Sequence, residues 1–177
     1  MEAWRHPGAD MEGFIRELAV FVGFDDAAMA AVRASAPAVL KHGDAITAAV
    51  YEHFLKFPHS ARFFLGPDGT HDRTRIERRR HSLARWLRES AEAALTHDFA
   101  YYLLGVGISH SHREFGPGGK VPPQLMVATM SIAQSALADI HKAEMPVDAA
   151  YDAAVAWNKL LLIHLNVFLV RHFLPKT

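Results

Sequence analysis

The stretch LLLIHLNVFLV, Leu160–Val170, is the most apolar part of the chain and decides its fold class. It is bracketed by Lys159 and Arg171, and it contains His164 and Asn166. At eleven residues it is too short to span a bilayer, which takes about 20 residues. An apolar segment without the alternation of a strand predicts instead a helix that is buried on more than one face.

The rest of the chain also has helical periodicity, and no segment alternates apolar and polar residues over the length of a strand. Predicted helices run over residues 11–22, 25 to about 41 with a bend or break near Pro37, 44–57, about 73–95, 98 to before 116, 122 to about 142, and 146 to about 173. Asp25, Asp44 and Asp98 are placed to cap three of them. We therefore expect one all-α domain, residues 1–177, with an N-terminal extension helix within 1–24 and a core over 25–173.

The composition excludes several classes of protein. Nineteen Lys and Arg balance nineteen Asp and Glu, so no net field attracts polyanions and a nucleic-acid partner is not expected. Residues 1–13 lack the apolar region of a signal peptide, which favours a cytoplasmic protein with no membrane contact. The absence of cysteine rules out disulfides and thiolate ligands, so nitrogen or oxygen must hold any metal.

One of the twelve histidines has the setting of a ligand. His110 shares a helix face with Val106 and Leu103, and Gly107 is predicted to leave room there for a flat ligand. His112 points roughly 160–200° away from that face, so both histidines cannot bind one metal from a regular helix. On spacing alone, His110 is either a haem or metal ligand or an ordinary buried imidazole.

Five strings carry a family resemblance, in this order: AVYEHFLKFPHSARFF (49–64), IERRRHSLARWL (76–87), VGISH (106–110), VPPQLMVATM (121–130) and NKLLLIHLNVFL (158–169). They resemble the patterns FYxxLL followed by proline, ERLxxTLxRWL, IGxxH, VPxxLVxxG and NKLLxLDLALxL of the sensor globins. These are the haem-binding domains of globin-coupled sensors, with their protoglobin and single-domain relatives. The resemblance implies a globin fold, a 3-over-3 helical sandwich with an extra N-terminal helix and no clear D helix.

The same resemblance assigns the site. His110 would be the proximal ligand of the iron of haem b, iron protoporphyrin IX. Tyr51 would be the distal hydroxyl that donates a hydrogen bond to the bound ligand, and Ser82 would be a second distal hydroxyl. Apolar residues would line the pocket: Phe54, Leu83, Leu87, Leu103, Val106 and Leu125.

Three positions depart from the family pattern. Arg79 stands where the family has an aliphatic residue, which bears on the polarity of the distal side, and an arginine at a haem edge could also pair with a propionate. The string HSHREFG differs from the family's HxRIG, so His112 is an alternative to His110. His164 occupies an acidic position of the last helix.

The function implied is sensing of O2 or another diatomic gas, or of redox state, with CO, NO and ferric-state cyanide as further ligands. The last two helices, apolar nearly all round, are expected to form a homodimer interface that transmits the ligand state to an output module, such as a histidine kinase or diguanylate cyclase, not in this chain. No catalytic residue is expected. The alternatives are a single-domain haem globin that handles O2 or NO as an enzyme or carrier, and a haem-free helical interaction module.

Overall fold

A computed structural model describes residues 7, 10–93, 95–111 and 119–173, with the side chains of 93, 171 and 173 left aside. Within these ranges the chain is helical, and the single β-bridge joins Leu65 to His71. The helices are α1 (Met11–Val22), α2 (Asp26–Lys41), α3 (Gly43–Lys56), α4 (Pro58–Ala61) with a 3₁₀ turn (Arg62–Phe64), α5 (Arg73–Ala93), α6 (His97–Ser111), α7 (Pro123–Glu144) and α8 (Val147–Phe173). The all-α prediction is confirmed.

Side-chain caps fix where several helices begin. Asp25 accepts a hydrogen bond from the amide of Ala28 at 2.9 Å, as predicted. The predictions for Asp44 and Asp98 are wrong, because both lie inside the first turns of α3 and α6. Thr96 takes the place of Asp98, since its hydroxyl oxygen accepts from the amide of Phe99 at 3.3 Å.

Pro37 does not break α2, which continues to Lys41. Proline lacks an N–H, so one intrahelical hydrogen bond is lost there. Val32 and Val39 are fully buried on either side of it. Tertiary contacts of the core therefore lie on both sides of the missing bond.

α8 is the central helix of the fold and packs against α1, α2, α6 and α7 of the same chain. The fully buried part of its surface includes Trp157, Leu160, Leu161, Ile163, His164 and Val167. The surplus of apolar residues that suggested a dimer interface is therefore covered mostly within one chain. By length and composition alone α8 could also cross a membrane over Val147–Val170, but most of this stretch is buried inside the protein.

α1, the helix within the predicted N-terminal extension, packs against the same core. Met11, Ile15 and Ala19 are buried on the face that packs against α6 and α8. Phe21, on the same helix, is 75% exposed.

Two contacts determine the position of α8 relative to α2 and α6. The indole N–H of Trp157 donates to the Ser35 hydroxyl at 2.9 Å, and that hydroxyl donates to the carbonyl of Val32 at 2.9 Å, which ties α8 to α2. Towards the other end of α8, the backbone of Phe168 lies against Gly107 of α6. A Cβ on that glycine would lie 2.8 Å from the carbonyl oxygen of Phe168, so only glycine allows the two helices to approach this closely.

Candidate functional site

His110 lies near the end of α6, mostly buried, with its ring oriented by the backbone. Its Nδ1 donates to the carbonyl of Val106 at 2.7 Å. This bond places the ring proton on Nδ1 and leaves the Nε2 lone pair available. Burial lowers the pKa of His110 below its ordinary value of 6.5, so the imidazole is neutral at physiological pH and is a competent metal ligand.

Tyr51 of α3 is buried among aromatic rings. Its ring meets those of Phe54 and Phe64 edge to face, at centroid distances of 5.6 and 5.4 Å. Phe54 and Phe64 stack on each other at 6.2 Å. Burial raises the pKa of the Tyr51 hydroxyl well above its ordinary value, so the hydroxyl stays protonated and acts as a hydrogen-bond donor.

Arg79 of α5 connects these two residues electrostatically. Its positive charge acts against burial at Tyr51, lowering the pKa of the hydroxyl. At His110 its charge acts in the same direction as burial and lowers the pKa of the imidazole further, with a smaller contribution from His172. Because such effects decay with distance, Tyr51, Arg79 and His110 lie in one neighbourhood. Arg79, one of the three departures from the family pattern, therefore belongs to the candidate site.

The residues of the predicted apolar lining are buried to different depths. Leu87 and Leu103 are buried in the core, and Leu83 and Val106 pack against it. Phe54 is half-buried and contacts Tyr51. Leu125 is half-buried on the first turn of α7, one turn beyond Val121, whose amide donates to the carbonyl of His110 at 3.1 Å.

The structure does not bring Ser82 into this group, which corrects the expectation for a second distal hydroxyl. Ser82 is exposed, and its hydroxyl donates to the carbonyl of Arg78 at 3.0 Å. The inward face of α5 is defined by Arg79, Leu83 and Leu87. At 100° per residue, Ser82 lies about 100° from the centre of that face.

Gly107 also has a different role from the one expected. It is buried against the backbone of Phe168, so the space its missing side chain leaves is taken by α8 and not by a flat ligand. The glycine three residues before His110 therefore sets the distance between the helix that carries His110 and the central helix.

His164, at the acidic position of the family, is fully buried. Its ring stands edge to face with Trp86 at 6.0 Å and with Phe99 at 5.3 Å. The position is thus filled by an aromatic contact between α5, α6 and α8. His112, the alternative to His110, lies outside the described residues.

Sequence reasoning missed two residues of this neighbourhood. Phe64 reaches Tyr51 because α4 and the 3₁₀ turn redirect the chain after Pro58, and no periodicity signals that direction. His172, whose charge influences His110, lies one turn beyond Phe168 on α8. The sequence spacing of His164, Phe168 and His172 places all three on one face of α8, and this spacing could have indicated His172.

The residues present fit a haem. Within the described ranges, no group of three or more His, Asp or Glu side chains could hold a metal ion by itself. Haem iron needs only one axial donor such as His110, since the porphyrin supplies the in-plane ligands. The aromatic and aliphatic side chains around Tyr51 and Leu103 offer the apolar walls that a porphyrin requires.

Comparisons with known proteins identify the fold and the family. The family model described as Protoglobin matches residues 12–175. Among solved structures, the globin domain of the Geobacter sulfurreducens globin-coupled sensor superposes with a TM-score of 0.71 at 13% identity, over 89% of this chain and 97% of that one. No curated protein matches the chain in sequence at a significant level.

The helical architecture is that of a globin, and the structural match confirms the globin fold. The chain belongs to the protoglobin family, whose model covers nearly its whole length. Membership in this family implies haem binding.

Proposed function

We propose that this chain is a haem b globin domain that senses O2 or another diatomic gas and transmits the ligand state to a signalling module outside the chain. The haem would supply the iron to which the gas binds. His110 would hold the iron from α6, and Tyr51 would face the ligand from α3. The cytoplasm is the compartment we propose for it.

One observation carries the proposal. His110 is neutral and oriented by the backbone, and Tyr51 is buried and protonated. The two residues lie on different helices, yet the charge of Arg79 influences the pKa of both. An ordinary core has no need for an oriented imidazole with an open Nε2 in the same neighbourhood as a buried phenol. The pairing suits an axial donor on one side of a porphyrin and a hydrogen-bond donor on the other.

The first experiment tests the iron ligand. We expect the purified protein to show a Soret band, and His110→Ala to abolish it. His53→Ala, which removes an exposed histidine of α3, is the matched control and should keep the band. If His112→Ala abolishes the band and His110→Ala does not, the assignment of the ligand is wrong.

The second experiment tests the distal donor. Tyr51→Phe removes the hydroxyl and keeps the ring that packs on Phe54 and Phe64. A hydrogen bond to a bound ligand contributes about 1–1.5 kcal/mol, so O2 should dissociate roughly tenfold faster. Stopped-flow spectroscopy measures the rate, and an unchanged rate would remove Tyr51 from the ligand site.

Transmission is supported by the contact between α6 and α8. Gly107, one turn before His110, touches the backbone of Phe168 without an intervening side chain. Packed interiors respond to a displacement by moving whole elements. A shift of the His110 helix on ligand binding would therefore displace α8.

The surface that would receive this signal is an exposed apolar stripe on α8. Val147, Tyr151, Val155 and Leu162 are spaced by four, four and seven residues, and they are 85%, 70%, 36% and 39% exposed. This spacing keeps them on one helix face, as in two-helix packing. We propose that a second copy of the chain covers the stripe in a symmetric homodimer.

The dimer has its own test. Tyr151→Glu places a charge in the middle of the stripe and should convert the dimer to a monomer in size-exclusion chromatography with light scattering. Tyr101→Glu, at an exposed tyrosine of α6, is the control and should leave the mass unchanged. A monomeric parent protein would refute the dimer without affecting haem binding.

A binding role is proposed in preference to catalysis. Because burial keeps Tyr51 protonated, it can donate a hydrogen bond but cannot accept a proton at neutral pH. Sustained consumption of O2 or NO in the presence of a reductant would contradict this part of the proposal.

A further inference from the structure

Two phenylalanine rings hold the ring of Tyr51. Phe54 lies on the same helix and Phe64 in the 3₁₀ turn, and each meets Tyr51 edge to face, with centroids 5.6 and 5.4 Å away. Phe54 and Phe64 also lie parallel to each other, 6.2 Å apart and with an interplanar angle of 7°. Because each of the three rings contacts the other two, Tyr51 cannot tilt without displacing one of its neighbours.

The backbone at Phe64 is fixed by hydrogen bonds to the start of α5. Its carbonyl accepts from the amide of Asp72 at 2.8 Å, and the carbonyl of Leu65 accepts from the Arg75 guanidinium at 3.2 Å. The β-bridge between Leu65 and His71 closes the same loop. The ring of Phe64 is therefore presented by a braced segment of the chain, although that segment lies outside the long helices.

Ring contacts orient the Tyr51 hydroxyl, because this hydroxyl makes no hydrogen bond to another of the residues that the structure describes. Phe54 is three residues away on α3 and moves with Tyr51 when that helix moves. Phe64 comes from a different element, so it fixes the tyrosine relative to the rest of the site. A hydrogen bond weakens steeply as the donor angle departs from linear, so the angle of the ring decides how well the hydroxyl serves as a donor.

We propose that Phe64 is a positioning residue, which holds the Tyr51 ring at the angle from which its hydroxyl donates to a bound gas. This inference rests on the proposed haem site and adds a residue that acts through Tyr51. It has one distinctive consequence. The effect of Phe64 on the ligand depends on the tyrosine hydroxyl and disappears when that hydroxyl is removed.

The test is a double-mutant cycle in the haem-loaded protein. Phe64→Leu removes the aromatic contact and keeps an apolar side chain. An edge-to-face pair is strong enough to change an equilibrium about two- to tenfold, so O2 should dissociate about two- to tenfold faster. In the Tyr51→Phe background, the same substitution should change the rate less than about 1.5-fold, because no hydroxyl remains to be positioned.

Phe63→Leu is the matched control. Phe63 is the adjacent residue and is half-buried like Phe64, but its ring contacts the Arg62 guanidinium, 4.9 Å from the centroid. This variant loses the same atoms and should leave O2 dissociation within about 1.5-fold of the parent.

A second measurement observes the tyrosine directly. The chain has four tyrosines, so NMR of protein labelled with carbon-13 tyrosine gives few ring signals, and Tyr51→Phe identifies the one that belongs to Tyr51. Phe64→Leu should speed flipping of this ring at least about twofold, whereas Phe63→Leu should leave the flip rate unchanged. An unchanged flip rate in Phe64→Leu would overturn the proposed positioning role.

The outcomes separate this inference from the proposed function. If the parent protein has no Soret band, or if Tyr51→Phe leaves O2 dissociation unchanged, the proposed site and this inference fail together. If Tyr51→Phe speeds dissociation but Phe64→Leu does not, or if Phe64→Leu acts equally in both backgrounds, only the role of Phe64 is overturned.

A variant that fails to load haem also gives a result. Phe64→Met, a flexible apolar replacement, is then measured in place of Phe64→Leu by the same criteria. If neither variant loads haem while Phe63→Leu loads normally, Phe64 supports the haem pocket itself and does not act through Tyr51, which overturns the inference.

Discussion

Replacement of Gly107 by alanine tests whether the close contact between α6 and α8 positions the site. The added Cβ would lie 2.8 Å from the carbonyl oxygen of Phe168 and 2.9 Å from its Cα. Both atoms belong to the backbone of a buried helix, so neither can rotate away. To restore ordinary contact distances, the helices must separate locally by roughly 0.6 Å.

The magnitude follows from two opposing effects. Alanine stabilises a helix relative to glycine by about 1 kcal/mol. Overpacking of a tight core costs about 1–3 kcal/mol, and a clash with backbone lies at the upper end of that range. Gly105→Ala is the matched control, because Gly105 is exposed on the same helix and its added Cβ would meet nothing within 4 Å.

Urea denaturation followed by far-UV circular dichroism gives the free energy of unfolding of each variant at matched haem content. Gly105→Ala should be about 0.5–1 kcal/mol more stable than the parent. Gly107→Ala should be about 2–3 kcal/mol less stable than Gly105→Ala, a difference of roughly 4–12 °C in Tm for a chain of this size. It should also release haem faster, because Gly107 is one turn from His110. Equal free energies of unfolding for the two variants would refute the reasoning.

Two other buried groups give further predictions. His141 is fully buried, its ring nitrogens have no hydrogen-bond partner among the described residues, and burial lowers its pKa below 6.5. The unfolded chain therefore takes up a proton there before the folded chain does, so stability is full above pH 6.5 and is lost as the pH falls below it. His141→Leu should flatten this part of the curve of unfolding free energy against pH, and an equally steep loss would exclude His141 as its source. Ser35→Ala leaves the buried indole N–H of Trp157 without its acceptor and should cost about 1–3 kcal/mol in urea denaturation, whereas Ser135→Ala on the exposed face of α7 should stay within about 0.5 kcal/mol.

The sequence by itself determined the helices, because apolar periodicity and turn residues act locally. α1 begins and ends where the pattern indicated. The helix caps were predicted less accurately. Asp44 and Asp98 are residue types that often cap helices, but both fall one or two positions inside their helices. The family resemblance also found His110 and Tyr51, whose geometry suits the roles it assigned.

Only the tertiary structure decided what each helix face meets. Ser82 and Arg79 are three residues apart on α5, and the packing of α5 turned the arginine inward and the serine outward. Gly107 could serve a ligand or a neighbouring helix, and the approach of α8 settled the choice. The apolar surplus of Leu160–Val170 is likewise absorbed mainly by α1, α2, α6 and α7. Periodicity defines a face but not its partner, because the partner comes from residues far along the chain.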